Sequence, residues 1–244
     1  MTNYQYLIIG GGMTAAAAVD GIREVDSTGE IGLISAEPDA PYDRPPLSKS
    51  LWKGKPLDSI WRKLENKEVK IHLSHTVKEI DPKQKRVMNN KGEAFTYQKL
   101  LLATGGRPRR LSFSDDQIIY FRTLSDYRRL RALTERGRRF AVIGGGFIGS
   151  EIAAALAMNG KEVVMIFPGK DIGDRVFPSP LAQFVSNFYK QKGVEVLAGE
   201  EIVGLETRGN QRVLKTSTNR EIVVDGVVAG VGIPPCQDIC KAFT

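Results

Sequence analysis

Tyr6-Leu-Ile-Ile-Gly10-Gly-Gly12-Met-Thr-Ala15 decides the fold, because the chain says the same thing again at Phe140-Ala-Val-Ile-Gly144-Gly-Gly146-Phe-Ile-Gly149. In each copy an apolar run enters a glycine-rich turn and a stretch rich in small residues leaves it, Ala15 to Arg23 in the first and Ser150 to Met158 in the second. Each copy therefore predicts strand, turn and helix. A second strand follows each helix, Glu30 to Ser35 and Glu162 to Phe167, which completes two βαβ openings.

The glycine spacing has a chemical reason. A helix N-terminus offers unpaired backbone N–H groups and the positive end of the helix dipole to a phosphate. Gly10 and Gly144 permit the tight turn, Gly12 and Gly146 let the backbone approach a pyrophosphate, and Ala15 and Gly149 let helix and strand pack closely. Gly11, Met13, Thr14, Gly145, Phe147 and Ile148 complete the two turns. One such motif is a weak signal. Two, each between a strand and a helix, are a strong one.

An acid past the second strand is expected to accept hydrogen bonds from ribose hydroxyls. Glu37 is so placed in the first copy. The second copy reads Phe167-Pro168-Gly169-Lys170-Asp171, with no acid at the matching place. Two readings follow: Asp171 substitutes from further along, or Lys170 and Arg175 favour a 2′-phosphate. NADH and NADPH both stay open.

Beyond each opening come short alternating strands, Thr76 to Ile80, Lys85 to Met88 and Ala94 to Tyr97 in the first half, and Glu201 to Thr207, Gln211 to Thr216 and Arg220 to Val224 in the second. They read as β-meanders. Each half closes on an apolar strand running to glycine and proline, Leu100-Leu-Leu-Ala103-Thr104-Gly105-Gly-Arg-Pro108 and Gly226-Val-Val-Ala-Gly-Val-Gly232-Ile-Pro234. The expected class is α/β: two tandem Rossmann-like, dinucleotide-binding units, each with a β-meander insertion.

Composition removes several classes. With 244 residues, 41% of them hydrophobic and 26% charged, the chain is an ordinary globular one, neither collagenous, coiled-coil nor disordered. Its apolar runs fall far short of the roughly 20 residues of a membrane span, and a strand pattern already begins by Tyr4, which leaves no room for a targeting segment; a cytoplasmic location is expected. The two cysteines, Cys236 and Cys240, lack the C-x-x-C spacing of a dithiol centre, which argues against a disulfide acceptor. The net charge is +7, and ten arginines against four acids between Arg107 and Arg139 hold nearly all of the excess. Such a run suits a solvated helix face around Leu124 to Arg136, a dock for an acidic redox protein, or a phosphate. Nucleic acid is the weakest of these partners, since no aromatic-interleaved or recognition-helix pattern accompanies the charges.

Pro41-Tyr42-Asp-Arg44-Pro-Pro-Leu-Ser48-Lys49, with Ala103-Thr-Gly-Gly-Arg-Pro-Arg109 and Gly144-Gly-Gly-Phe-Ile-Gly-Ser-Glu151, resembles the FAD-dependent pyridine-nucleotide oxidoreductases, in the branch of apoptosis-inducing factor and its ferredoxin-reductase-like relatives. The resemblance covers essentially the whole chain. It implies an FAD domain over residues 1–110, an NAD(P)H domain over 111–235, and a truncated tail over 236–244, because the family's returning Gly-Asp segment and C-terminal domain are not found in these residues.

By the same resemblance, the first turn and Glu37 go to the adenosine and pyrophosphate of FAD. Arg44 neutralises pyrophosphate charge, Lys49 reaches the flavin ring, Val77 meets adenine through its backbone, and Arg109 lies at the flavin edge. Gly145 to Ile148 hold NAD(P)H with Phe147 near the nicotinamide, and Glu151 sits near the flavin and pairs with Lys49. Ala103, Thr104, Gly105 and Gly232 are further cofactor-binding positions.

The pairing of Lys49 with Glu151 also makes chemical sense. A cation beside a flavin stabilises the charge that develops on hydride transfer, and a lysine buried there without a partner would shift towards neutral, so a carboxylate beside it is expected. The implied activity is hydride transfer from NAD(P)H to flavin, with electrons passing to a ferredoxin-like protein, a quinone or oxygen. A homodimer is a candidate assembly. The rival expectation is an NAD(P)H-binding redox sensor or interaction module without flavin turnover.

Overall fold

The computed structural model describes residues 2–113 and 116–236. Cys240, with the rest of the expected tail beyond Cys236, lies outside them. The described residues form two compact units, one of residues 2–44, 56–107 and 235–236 and one of residues 45–55, 108–113 and 116–234.

The first unit is built on a six-stranded sheet in the order β3-β2-β1-β6-β5-β4. Its strands are β1 (Thr2–Ile9), β2 (Ile31–Ile34), β3 (Val69–His72), β4 (Val77–Asp81), β5 (Arg86–Asn89) and β6 (Ala94–Leu102). The four strands β3, β2, β1 and β6 run parallel, while β4, β5 and β6 pair antiparallel as the expected meander. Burial on both faces explains why the central strands are apolar at consecutive positions: all four residues of β2 are buried, as are Leu7, Ile8 and Ile9 of β1. Helix α1 (Met13–Val25) lies on one face through Ala15, Ala16 and Val19, small enough for close approach. Tyr4, Leu7, Ile9 and Ile34 meet the meander's Ile80, Val87, Phe95 and Tyr97 in a second core cluster.

The second unit repeats the plan. Strands β7 (Ile118–Tyr120), β8 (Arg139–Ile143), β9 (Glu162–Phe167), β10 (Glu195–Ala198) and β14 (Gly226–Ala229) form a parallel sheet in the order β10-β9-β8-β14-β7. Helices α2 (Leu124–Arg136), α3 (Phe147–Met158) and α4 (Ser179–Gln191) accompany it. A separate antiparallel sheet of β11 (Ile202–Arg208), β12 (Gln211–Thr216) and β13 (Glu221–Val224) packs Ile202, Leu214, Ile222 and Val224 against Ala141, Ile143, Val164, Ile166 and Val227.

The two units differ where meander meets closing strand. Residues 94–97 and 100–102, read from sequence as two strands, belong to one, β6, which pairs with β5 at its start and with β1 along its length. In the second unit the chain breaks at Asp225 between β13 and β14 and changes sheet. The Asp225 carboxylate accepts the backbone N–H of Arg138 at 2.7 Å and of Arg139 at 2.9 Å. The bond from Arg139 leads in holding its pKa below the usual aspartate value. A lowered folded-state pKa means that the unfolded chain takes up the proton first as pH falls; the stabilisation is complete above the ordinary aspartate range and fades as pH drops through the lowered value. Asp225→Ala is therefore expected to lower the melting temperature at neutral pH, with the gap to the parent closing on acidification. A gap that stays constant in thermal melts across the acid range would contradict this.

The arginine-rich stretch is largely engaged. Arg138 pairs with Glu162 and Arg139 with Glu195, both at 2.8 Å, Arg131 stands over Trp52 and Arg110 over Tyr120, and Arg129 donates to the Asp116 carbonyl. Among the described residues no helix is long and apolar enough to cross a membrane.

Candidate functional site

The glycines of the two turns separate by cause. Gly10 has φ +125° and Gly144 φ +113°, conformations that L side chains rarely adopt. Their N–H groups donate to Ile34 and Ile166 at 2.8 and 2.9 Å, and a Cβ on them would fall 2.1 Å from the Ala103 carbonyl oxygen and 2.5 Å from that of Gly230. Fold alone requires glycine there. A Cβ on Gly149 would lie 2.0 Å from the Gly144 carbonyl oxygen, so helix packing also accounts for that one.

Gly12 and Gly146 are different. Their φ values, −95° and −84°, suit any residue. A Cβ on Gly146 would meet nothing within 4 Å, and one on Gly12 only the Arg44 guanidinium, at 4.0 Å. Both are N-caps without a side-chain cap bond, and neither α1 nor α3 has an acid in its first turn. By contrast α2 is closed by a Thr123–Asp126 capping box. Two helices thus present N–H groups and dipole to open space over glycines that no protein contact explains. Such a cradle fits a diphosphate.

In the first unit the Glu37 carboxylate accepts from Tyr42 Oη at 2.6 Å and from Arg44 Nη2 at 2.5 Å. Arg44 also stands 5.3 Å over the Tyr42 ring. The fold therefore joins Glu37, Arg44 and the Gly12 turn, with Tyr42 as a partner that sequence reasoning missed. Val77 opens β4 opposite Asn89. Thr104 Oγ1 donates to the Cys236 carbonyl at 3.3 Å, and the Gly105 carbonyl accepts the Cys236 N–H at 2.9 Å, so this pair also anchors residue 236.

The second unit holds a cavity of about 510 Å³, an ordinary ligand size. Its walls include the turn 144–148, Phe167, Gly169, Asp174, Arg175, Arg109 and Gly232. Phe147 is exposed and meets Phe177 edge-on. Of the acids after β9, Asp174 rather than Asp171 reaches the wall, and its carboxylate accepts the Lys170 N–H at 2.8 Å.

Lys49 and Glu151, 102 positions apart in sequence, form an ion pair of 2.7 Å in this unit, and Ser48 Oγ donates to the same carboxylate oxygen at 2.6 Å. The lysine side chain is 52% exposed and the glutamate 25%, so the cation remains reachable while the carboxylate is fixed. Ser48 was not singled out from sequence, although it adjoins Lys49 in the proline-rich run.

Two mononucleotide folds in tandem, each with an open glycine turn, are the architecture of a dinucleotide-binding protein. The chain belongs to the pyridine nucleotide-disulphide oxidoreductase family, whose model matches residues 4–243. It is 32% identical over 270 residues to apoptosis-inducing factor 1, mitochondrial, of Dictyostelium discoideum, covering 99% of this chain and 51% of that one. It is 33% identical over 245 residues to the 5,5'-dehydrodivanillate O-demethylase ferredoxin reductase subunit of a Sphingobium species, covering 96% and 60%. Among solved structures, the covalent putidaredoxin reductase–putidaredoxin complex matches with a TM-score of 0.92 and 26% identity over 99% of this chain and 61% of that one. The chain spans between half and about three fifths of the length of these curated relatives.

Proposed function

We propose that this chain forms the nucleotide-binding part of an FAD-dependent NAD(P)H oxidoreductase that delivers electrons to a ferredoxin-like acceptor. The observation that carries the reading is the pair of open turns, whose middle glycines, Gly12 and Gly146, have no internal reason to be glycine. Residues 1–110 are assigned to FAD and 111–235 to NAD(P)H, with the 45–55 segment serving the second unit. Gly10 to Ala15 take the FAD pyrophosphate, Glu37 the adenosine ribose, and Arg44 adds positive charge, with Val77 and Ala103 to Gly105 completing that site. Gly144 to Gly149 and Gly232 hold NAD(P)H, Phe147 adjoins the nicotinamide, and Arg109 lies at the flavin edge.

When bound, the flavin supplies the redox chemistry, accepting hydride and releasing electrons singly. The protein's part is positioning, and no side chain acts as a nucleophile. Lys49 offers a cation where negative charge grows, and Glu151 with Ser48 fixes that cation. The acceptor class follows from relatives named as ferredoxin reductases and from the reductase solved with putidaredoxin.

Purified protein given FAD is expected to turn yellow and to bleach anaerobically with NADH or NADPH. Protein that stays colourless after FAD is added would overturn the flavin assignment, and nicotinamide binding in that colourless state would mark an NAD(P)H-binding module instead.

A further inference from the structure

The internal duplication can be read residue by residue. Gly10 N–H bonds to the Ile34 carbonyl and Gly144 N–H to that of Ile166, which makes Ile34 and Ile166 equivalent. One step on, a Cβ on Gly11 would strike Ser35, and a Cβ on Gly145 would strike the Phe167 ring, so these two correspond as well. Counting two residues further puts Gly169 at the place of Glu37. The first unit has a carboxylate there and the second has no side chain at all.

The space beside Gly169 is nevertheless filled by a carboxylate. A Cβ built on Gly169 would lie 2.4 Å from Asp174 Oδ2 and 2.9 Å from Oδ1. The loop 170–174 doubles back, and the Lys170 N–H holds Oδ2 at 2.8 Å, at the root of the missing side chain. Asp174 is exposed and forms part of the cavity wall that carries the glycine turn.

We propose that Asp174 is the residue that chooses the nicotinamide dinucleotide, accepting the adenosine ribose 2′-hydroxyl of NADH and repelling the 2′-phosphate of NADPH. The assignment rests on the second unit being the NAD(P)H site. Arg175 lines the same cavity and carries the charge that would attract a phosphate. Both side chains are exposed; what separates them is that the Lys170 N–H fixes the Asp174 carboxylate beside Gly169, the ribose position, where it sets two like charges in contact. Specificity of this kind comes from the repulsive element.

Equilibrium titration of the full chain with NADH and with NADPH, followed by quenching of tryptophan fluorescence, tests this. The parent should bind NADH at least about tenfold more tightly than NADPH. Asp174→Asn can still accept the Lys170 N–H through its amide oxygen but loses the charge, and should bring the two affinities to within about threefold, chiefly by tightening NADPH. Asp174→Ala should move the ratio in the same direction. Arg175→Ala should leave the preference for NADH in place. A parent that favours NADPH, or NADH binding whose ratio to NADPH is unchanged in Asp174→Asn, overturns the role of Asp174 and leaves the site standing. Failure of the parent to bind either dinucleotide overturns the site and this assignment together.

Discussion

Replacing Gly144 with alanine is expected to destabilise the second unit by about 3 kcal/mol or more, while the same change at Gly146 leaves stability almost untouched and weakens dinucleotide binding. At Gly144 the new methyl group faces a φ of +113° and a carbonyl oxygen 2.5 Å away in the Gly230 backbone. Backbone strain of about 1–3 kcal/mol and overpacking of similar size act together there. For a unit of this size the melting temperature should fall by about 10 °C. At Gly146 the methyl group projects into space free of protein within 4 Å, where the diphosphate is proposed to lie. Gly146→Ala should therefore melt like the parent and bind NADH at least about tenfold more weakly, a loss of ~1.4 kcal/mol. Equal affinity in that variant would mean that nothing approaches the turn, and the proposed function would lose its support.

The second large effect is on rate. Lys49→Ala should slow anaerobic flavin reduction by NADH by about a hundredfold, with NADH affinity changed only a few-fold, because the ammonium acts on charge that grows during transfer rather than on the bound dinucleotide. Exposure of the Lys49 side chain keeps the effect at the low end of what a preorganised donor supplies. The glutamate is not stranded in the variant, since Ser48 Oγ still donates to it. Stopped-flow reduction separates the two parameters. An unchanged reduction rate would strip Lys49 of its role and leave the ion pair as a structural tie.

Much of this was readable in the chain because glycine writes its constraints locally. The two turns, their flanking strands and helices, the meanders and the helix over Leu124–Arg136 follow from patterns within short windows. Elements whose sequences carry no such mark were not anticipated. β3 and β10 have four residues each, none fully buried, and β7 only three. α4 was passed over although Leu181, Phe184 and Phe188 recur at helical spacing; the fold exposes all three and buries Ala182 and Ser186 instead. At the site, the pairing of Lys49 with Glu151 was foreseen through the family resemblance. After β9 the sequence leaves Asp171 set against Lys170 with Arg175, and Asp174 is not legible there because its approach to Gly169 depends on a loop folding back, which spacing does not encode.

Residues 45–55 are made early and belong to a unit completed late. Leu47, Leu51 and Trp52 are buried there, with Trp52 edge-on to Tyr127, beneath Arg131, and accepting at its carbonyl from Asn159, 107 positions onward. At a synthesis rate of ~5–20 residues per second, this greasy segment waits on the ribosome for about 5–20 s before its cover emerges. During that interval its apolar side chains lack the surface they will bury against, and two halves cut at a single point in the chain could not each carry a whole unit.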